Sequence, residues 1–255
     1  MNIRENLDNV VALVRRADRA IMDIYGTDFA VVEHKQEDNS PLTQADLASN
    51  EILIAGLTEL FPGIPIVSEE GDKEFNVQTV QSDTFWLVDP LDGTREFVAR
   101  SGQFCVALAL IVDSKPQFGL FSIPSTNTVY YGGAGMGSYR KEGDSAPEPI
   151  HVTSVPTKVV LGSRMDKGGA TAEYIAEHYS DYELASMGSM LKYALIAEGK
   201  ADVYPCIDRP LKLWDVASGQ AVIEGAGGTL TRPDGSPVDY HNQTLLAGDF
   251  VAKAI

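Results

Sequence analysis

The sequence predicts a layered α+β chain within the broad α/β class, and three observations carry that prediction. Two amphipathic helical runs come first, short apolar runs bounded by turn residues follow, and beyond about residue 150 strand-like and helix-like segments alternate. At 255 residues, 44% of them hydrophobic, the chain can bury a core without disulfides or structural metals. No linker-like stretch divides it, so it reads as two closely packed halves, 1–150 of α+β character and 151–255 of α/β character.

Each element has its own signal. Ile3, Leu7, Val10, Val11, Val14, Ala17, Ile21 and Tyr25 recur at helical spacing with charged residues between them, and Gly26 ends that run. Thr43 precedes a second helix marked by Leu47, Ile52, Leu53, Leu57 and Leu60 and closed by Pro62-Gly63. The runs Pro65 to Ser68, Phe85 to Val88, Phe104 to Val112, Phe118 to Ile123 and Thr128 to Gly132 read as an antiparallel sheet. Further on, strands are expected at Val159 to Leu161, Tyr182 to Leu184 and Ala201 to Tyr204, with helices over Thr171 to His178, Ser189 to Glu198 and Asp215 to Gly225. Gly132 to Gly137 lacks the G-x-G-x-x-G pattern and reads as a tight turn.

Charge and composition exclude several function classes. Twenty Lys and Arg against thirty-six Asp and Glu leave a net charge of −16, which argues against binding a nucleic-acid polymer or an anionic membrane surface. Cys105 and Cys206 show neither C-x-x-C nor Cys/His spacing, so a disulfide framework and a structural zinc are disfavoured and a reducing cytoplasm is expected. The segment Met1 to Asn6 is polar where a signal peptide would have an apolar core. The longest apolar run, Phe104 to Val112, is too short to span a bilayer, so neither export nor a membrane span is expected.

The chemistry concentrates in Trp86-Leu87-Val88-Asp89-Pro90-Leu91-Asp92-Gly93-Thr94. An apolar strand delivers Asp89 to its end, Pro90 restricts the backbone there, and the turn can aim Asp89, the Leu91 carbonyl and Asp92 into one small volume. Such hard oxygen donors suit Mg²⁺ better than zinc or copper, and two carboxylates so close need a cation or a proton between them. Gly93 and Thr94 then offer backbone N–H groups suited to a phosphate. The plainer reading is a solvated Asp-Gly turn. Three other segments bear on the choice: Glu69-Glu70 at the end of a short strand, Asp215 at the start of a helix, and Thr43 with Asp46 in capping-box spacing. Taken singly, these read as a solvated loop, an N-cap and a capping box; together they place acids at the ends of several elements.

Glu69-Glu70, Asp89-Pro90-Leu91-Asp92-Gly93-Thr94 and Trp214-Asp215-Val216-Ala217-Ser218-Gly219, in this order, resemble the signature of the inositol monophosphatase superfamily. Asn39 to Asp46, Gly93 to Val98 and Gly188 to Tyr193 further resemble its CysQ-type 3'(2'),5'-bisphosphate nucleotidase branch. The resemblance covers nearly the whole chain. It implies an αβαβα sandwich of the inositol monophosphatase and fructose-1,6-bisphosphatase type, and a lithium-sensitive, Mg²⁺-dependent phosphomonoesterase using two to three ions. By the same resemblance, Glu69, Asp89 and the Leu91 carbonyl would hold one ion, and Asp89, Asp92 and Asp215 a second. A third, weaker ion would lie near Glu69, with Glu70 behind the ligands. Asp46 and Thr94, with Glu69, would serve the attacking water, while Leu91, Gly93, Thr94, Ser189, Lys192 and Asp215 would contact the substrate. Most metal ligands would thus lie in 1–150, with Asp215 and the substrate residues in 151–255. The partner implied is a small phosphomonoester, and a homodimer is compatible with the sequence.

The chain departs from the nucleotidase pattern where a second phosphate would bind. Ser163-Arg164-Met165-Asp166 lacks the branch's histidine, Tyr204-Pro205-Cys206 lacks a following base, and Lys35 to Asp38 is one residue longer than Lys-x-Asp. Arg164, Arg209, Lys212 and Lys192 are the cations left to compensate. An inositol or sugar monophosphatase on the same scaffold is the enzymatic alternative, and a metal- or nucleotide-binding module without turnover is the alternative of another class. His34, His151, His178 and His241 fit no metal or general-base pattern.

Overall fold

The computed structural model describes residues 3–28, 31–34, 41–153, 158–163 and 169–254. Arg164, Met165, Asp166, the Lys35 to Asp38 segment and Asn39-Ser40 lie outside the described residues.

Val10, Val14, Ala17 and Ile21 fall on one side of α1 (Leu7–Tyr25), which Gly26 caps. The short strands β1 (Val31–His34) and β2 (Pro41–Thr43) pair antiparallel, and β2 runs directly into α2 (Gln44–Leu60). Strand β3 (Ile66–Ser68), helix α3 (Lys73–Thr79) and strand β4 (Thr84–Asp92) lead to the five-residue α4 (Thr94–Val98). Then come β5 (Cys105–Val112), β6 (Lys115–Ile123), β7 (Thr128–Gly133), β8 (Gly137–Glu142) and β9 (Glu148–Ile150). Strands β3 to β9 form a seven-stranded sheet in chain order.

The wholly antiparallel reading of this sheet needs one correction. β3 runs parallel to β4, with Ile66 opposite Trp86, because α3 provides the crossover that two parallel neighbours require. That helix is absent from the sequence reading; its start is signalled by Asp72, whose carboxylate accepts the Phe75 N–H at 2.8 Å. The polar strands β8 and β9 also escape an apolar pattern, whereas the tight turn expected at Gly132 to Gly137 is the β7–β8 hairpin.

The remaining elements are β10 (Lys158–Ser163), α5 (Ala170–His178), β11 (Tyr182–Met187), α6 (Leu191–Ala197), β12 (Val203–Cys206), α7 (Trp214–Gly225), β13 (Thr229–Thr231) and β14 (Phe250–Lys253). They build a five-stranded sheet ordered β11-β10-β12-β14-β13, parallel through β11, β10 and β12 and antiparallel beyond. The helix expected from Ser189 begins at Leu191, since Ser189 has a positive φ of 52° and sits in the preceding turn.

Strand alternation sorts the layers. Trp86, Val88, Val106 and Leu108 pack against α1 and α2, while Phe85, Leu87, Ala107 and Ala109 pack with α6, α7 and the second sheet. Ile175 of α5 covers the outer face of that sheet against Val160, Val203 and Val251. The result is the αβαβα order of helices, sheet, helices, sheet and helix. Close packing of α7 requires Gly119 in β6, where a Cβ would stand 2.4 Å from the Ser218 carbonyl oxygen.

Candidate active site

One extra residue in β4 creates the geometry of the site. In a regular strand, residues three apart face opposite sides, so Asp89 and Asp92 would diverge. Asp89 pairs with Ala107 and Asp92 with Cys105, which fits one surplus residue into β4 and returns both carboxylates to the α7 side. Pro90, which cannot donate to a ladder, lies within this bulge, and its carbonyl accepts the Ser49 hydroxyl at 2.7 Å. The Leu91 N–H donates to Asp89 Oδ1 at 3.0 Å.

Three further elements bring in their own acids. Asp215 stands in the first turn of α7, where its Oδ2 accepts the Lys212 N–H at 2.8 Å; Leu213, rather than Asp215, is the N-cap. The Glu69 N–H donates to the Val88 carbonyl at 3.1 Å, extending the β3–β4 pairing to the acid itself. Asn76 of α3 secures that corner: its Nδ2 donates to the Ser68 carbonyl at 2.7 Å and its Oδ1 accepts the Ser68 N–H at 3.3 Å. Asp46, 1% exposed, forms the predicted capping box, its Oδ2 accepting the Thr43 N–H at 2.8 Å and the Thr43 hydroxyl at 2.6 Å. Its Oδ1 accepts the Thr94 hydroxyl at 3.1 Å, and that hydroxyl also lies 3.2 Å from the Leu91 carbonyl oxygen. The capping reading and the catalytic reading of Asp46 therefore use different oxygens of one carboxylate.

Gly93 opens α4 at a φ of +87°, a conformation that favours glycine, and a Cβ there would approach Gln103 O at 3.1 Å and Ser189 Cβ at 3.2 Å. Ser189 donates its hydroxyl to Asp92 Oδ2. Lys192 is 5% exposed; its Nζ donates to the Ser189 carbonyl at 2.7 Å and lies 5.0 Å above the Tyr204 ring. A cleft of about 710 Å³ joins these groups, lined by Glu69, Asp89, Asp92, Thr94, Lys192 and Arg209 among others. His151, His178 and His241 do not line it.

Among the described residues, Asp89, Asp92 and Asp215 present carboxylate oxygens that all lie within 4.8 Å of one another. Burial first, and then the neighbouring Glu69, Asp92 and Asp215, hold the Asp89 carboxyl well above the ordinary carboxylate range. Burial and the same repulsion do likewise at Asp215, partly offset by the Lys212 N–H. At Asp92 burial again pushes upward, against the Ser189 hydroxyl and the Lys192 charge. A cluster that resists ionisation when bare, built wholly of hard oxygen donors and open to a cleft, fits a divalent cation.

The sequence profile described as the inositol monophosphatase family matches residues 3–254. The chain belongs to the inositol monophosphatase family. Enzymes of this family are metal-dependent, in keeping with the acidic cluster. Among family members, the 3'(2'),5'-bisphosphate nucleotidase CysQ of Escherichia coli O6:H1 is 38% identical over 92% of this chain and 93% of its own. The CysQ of Buchnera aphidicola is 33% identical over 99% and 95%. The crystal structure of CysQ from Bacteroides thetaiotaomicron superimposes with a TM-score of 0.84 at 32% identity, covering 99% of both chains. An inositol monophosphatase of Thermotoga maritima shares the fold at a TM-score of 0.80 and 22% identity.

Within this inositol monophosphatase fold, Asp89, Leu91 and Asp92 come from the end of β4, Asp46, Thr94, Lys192 and Asp215 from the first turns of α2, α4, α6 and α7, and Glu69, Gly93 and Ser189 from the turns beside them. All except Asp46 line the cleft, and Asp46 reaches it through Thr94. Sequence reasoning passed over Ser49, Asn76 and Gln103. Each is an isolated polar residue whose partner lies in another element, so its only signal is tertiary.

Proposed function

We propose that this chain is a 3'(2'),5'-bisphosphate nucleotidase that hydrolyses 3'-phosphoadenosine 5'-phosphate to AMP and phosphate. The observation that carries the reading is the Asp46–Thr94 pair beside the Asp89, Asp92 and Asp215 cluster, in a chain 38% identical to a CysQ nucleotidase. Glu69, Asp89 and the Leu91 carbonyl would hold one Mg²⁺, Asp89, Asp92 and Asp215 a second, and the Glu69 side of the cleft a third. Mg²⁺ bound there supplies positive charge against the phosphoryl and leaving oxygens and acidifies water.

The chain's own residues do the rest. Because the Thr94 hydroxyl spends its proton on Asp46 Oδ1, its lone pairs face outward as acceptors, which orients a water by one of its O–H bonds. The Asp46 carboxylate takes up the water's proton through that hydroxyl, while Glu69 holds the water's other side. The water oxygen bonds to phosphorus, the bond from phosphorus to the 3'-oxygen breaks, and that oxygen takes a proton from water in the cleft and leaves as an alcohol, while the proton held on Asp46 returns to solvent. The Gly93 and Thr94 N–H groups receive the phosphoryl oxygens. No covalent intermediate is required, since positioning and charge stabilisation suffice for in-line displacement. Cys105 and Cys206 are both buried thiols, which is consistent with work in a reducing cytoplasm.

Inositol monophosphatase activity is the second reading, favoured by Cys206, which is buried and uncharged where a base would grip a second phosphate. Phosphate release from 3'-phosphoadenosine 5'-phosphate and from inositol 1-phosphate, measured side by side, separates the two. A higher kcat/KM on the nucleotide supports the proposal, and a clear preference for the inositol ester overturns it.

A further inference from the structure

The turn between β11 and α6 is gripped from two sides. Gln103, arriving from the loop before β5, accepts the Gly188 N–H on its side-chain oxygen at 2.7 Å. Lys192, from the first turn of α6, donates to the Ser189 carbonyl at 2.7 Å and to the Met187 carbonyl at 3.4 Å. Between these two holds, Ser189 adopts a positive φ of 52°, which a non-glycine residue keeps only where its surroundings compensate. The compensation is visible: in that conformation the Ser189 hydroxyl reaches the Asp92 carboxylate. Gln103 is anchored in turn, its N–H 3.2 Å from Ser101 Oγ, and that hydroxyl donates to Glu96 Oε2 at 2.6 Å.

We infer that Gln103 and Lys192 are positioning residues that clamp this turn so that Ser189 fixes the Asp92 carboxylate for its cation. Lys192 grips the turn by its main chain, two of its three N–H donors being directed at carbonyl oxygens there, besides the charge it sets near Asp92. Groups that hydrogen-bond a metal ligand set its orientation, and their loss typically lowers metal affinity about 10–100-fold. The inference rests on Asp92 being a cation ligand, and it deepens the functional proposal by naming what orders that ligand.

The test is calorimetric titration of the purified chain with Mg²⁺ and with Mn²⁺ in the absence of substrate. Gln103→Met, which keeps the side-chain bulk without the acceptor, and Lys192→Met are each expected to weaken binding about tenfold. Gln103→Glu, which still accepts the Gly188 N–H, is expected to bind at least as tightly as the unmodified chain. Combining Gln103→Met with Ser189→Ala should cost less than the product of the single losses, because both act on one contact. Unchanged cation affinity in Gln103→Met and Lys192→Met overturns the clamp. So does a Lys192→Met variant whose sole defect is a raised KM for a bisphosphate beside a normal KM for a monophosphate, the signature of a direct substrate contact. Should Gln103→Met fail to fold, Lys192→Met carries the same test. An unmodified chain that binds neither metal overturns the ligand reading itself, whereas normal binding with unaffected variants overturns the clamp alone.

Discussion

The Thr94 hydroxyl and the Asp46 carboxylate meet at 3.1 Å across 48 residues of sequence, at the point where the N-terminus of α2 touches the start of α4. Asp46 divides its oxygens, one closing the cap of α2 and the other receiving Thr94. That division allows its two roles to be separated by substitution.

Thr94→Val keeps the shape of the side chain and removes the hydroxyl that would orient water, so kcat should fall about 10²–10⁴-fold. Thr94→Ser should recover most of it. Steady-state kcat and KM with 3'-phosphoadenosine 5'-phosphate, together with the melting temperature, check this. A Val variant with normal kcat would remove Thr94 from the chemistry.

Asp215→Asn removes one charge from the acidic cluster while its side-chain oxygen can still accept the Lys212 N–H. The substituted chain without divalent cations should be at least as stable as the unmodified one, because a repulsive, burial-penalised carboxylate is gone. The stabilisation by Mg²⁺ should shrink in parallel. For the unmodified chain that stabilisation is about 2.7 kcal/mol at a hundredfold excess over Kd. Thermal unfolding with and without Mg²⁺ tests both halves of the expectation.

Asp18 provides a pH signature remote from the cleft. Burial pushes its carboxyl up to about 7, against the Ser122 hydroxyl at 2.5 Å and the charges of Arg15 and Arg19. Its other oxygen is buried without a hydrogen-bond partner. A raised folded-state pKa means that the folded chain holds the proton more tightly than the unfolded chain, so this group's contribution declines as pH rises from about 4 to about 7 and is flat above. At about 1.4 kcal/mol per unit, a rise from 3.8 to about 7 makes the loss on the order of 4 kcal/mol. Asp18→Asn should remove that slope and be the more stable form at pH 8, as read by urea unfolding of both chains from pH 5 to pH 8. Parallel curves for the two would refute the assignment.

Gly119→Ala would place a methyl group 2.4 Å from the Ser218 carbonyl and push α7 off β6. Overpacking of this kind costs about 1–3 kcal/mol. Because α7 carries Asp215, the cost should extend beyond stability to weaker Mg²⁺ binding. Denaturant unfolding and Mg²⁺ titration of the same variant read the two effects.

Much of this molecule is local, and local features are legible in sequence. The helical spacing of Val10, Val14, Ala17 and Ile21 marks α1, the Thr43 and Asp46 spacing marks the cap of α2, and the acids around Pro90 mark the chemistry. The parallel β3–β4 pairing was hidden because the seven-residue α3 that makes the crossover is too short to show a helical period. Strands β8 and β9 were hidden because their residues are largely polar.

What the sequence determined alone was which side chains each strand and helix offers to which face, since periods of two and 3.6 residues follow from backbone geometry. Only the tertiary structure decided that Asp89, Asp92 and Asp215 share one small volume, that Thr94 reaches Asp46, and that the Lys192 ammonium is held by the main chain of its own turn. The physical reason is that these relations depend on a one-residue bulge in β4 and on the packing of α7 between two sheets. Both are settled by contacts between residues far apart in the chain, which no local period encodes.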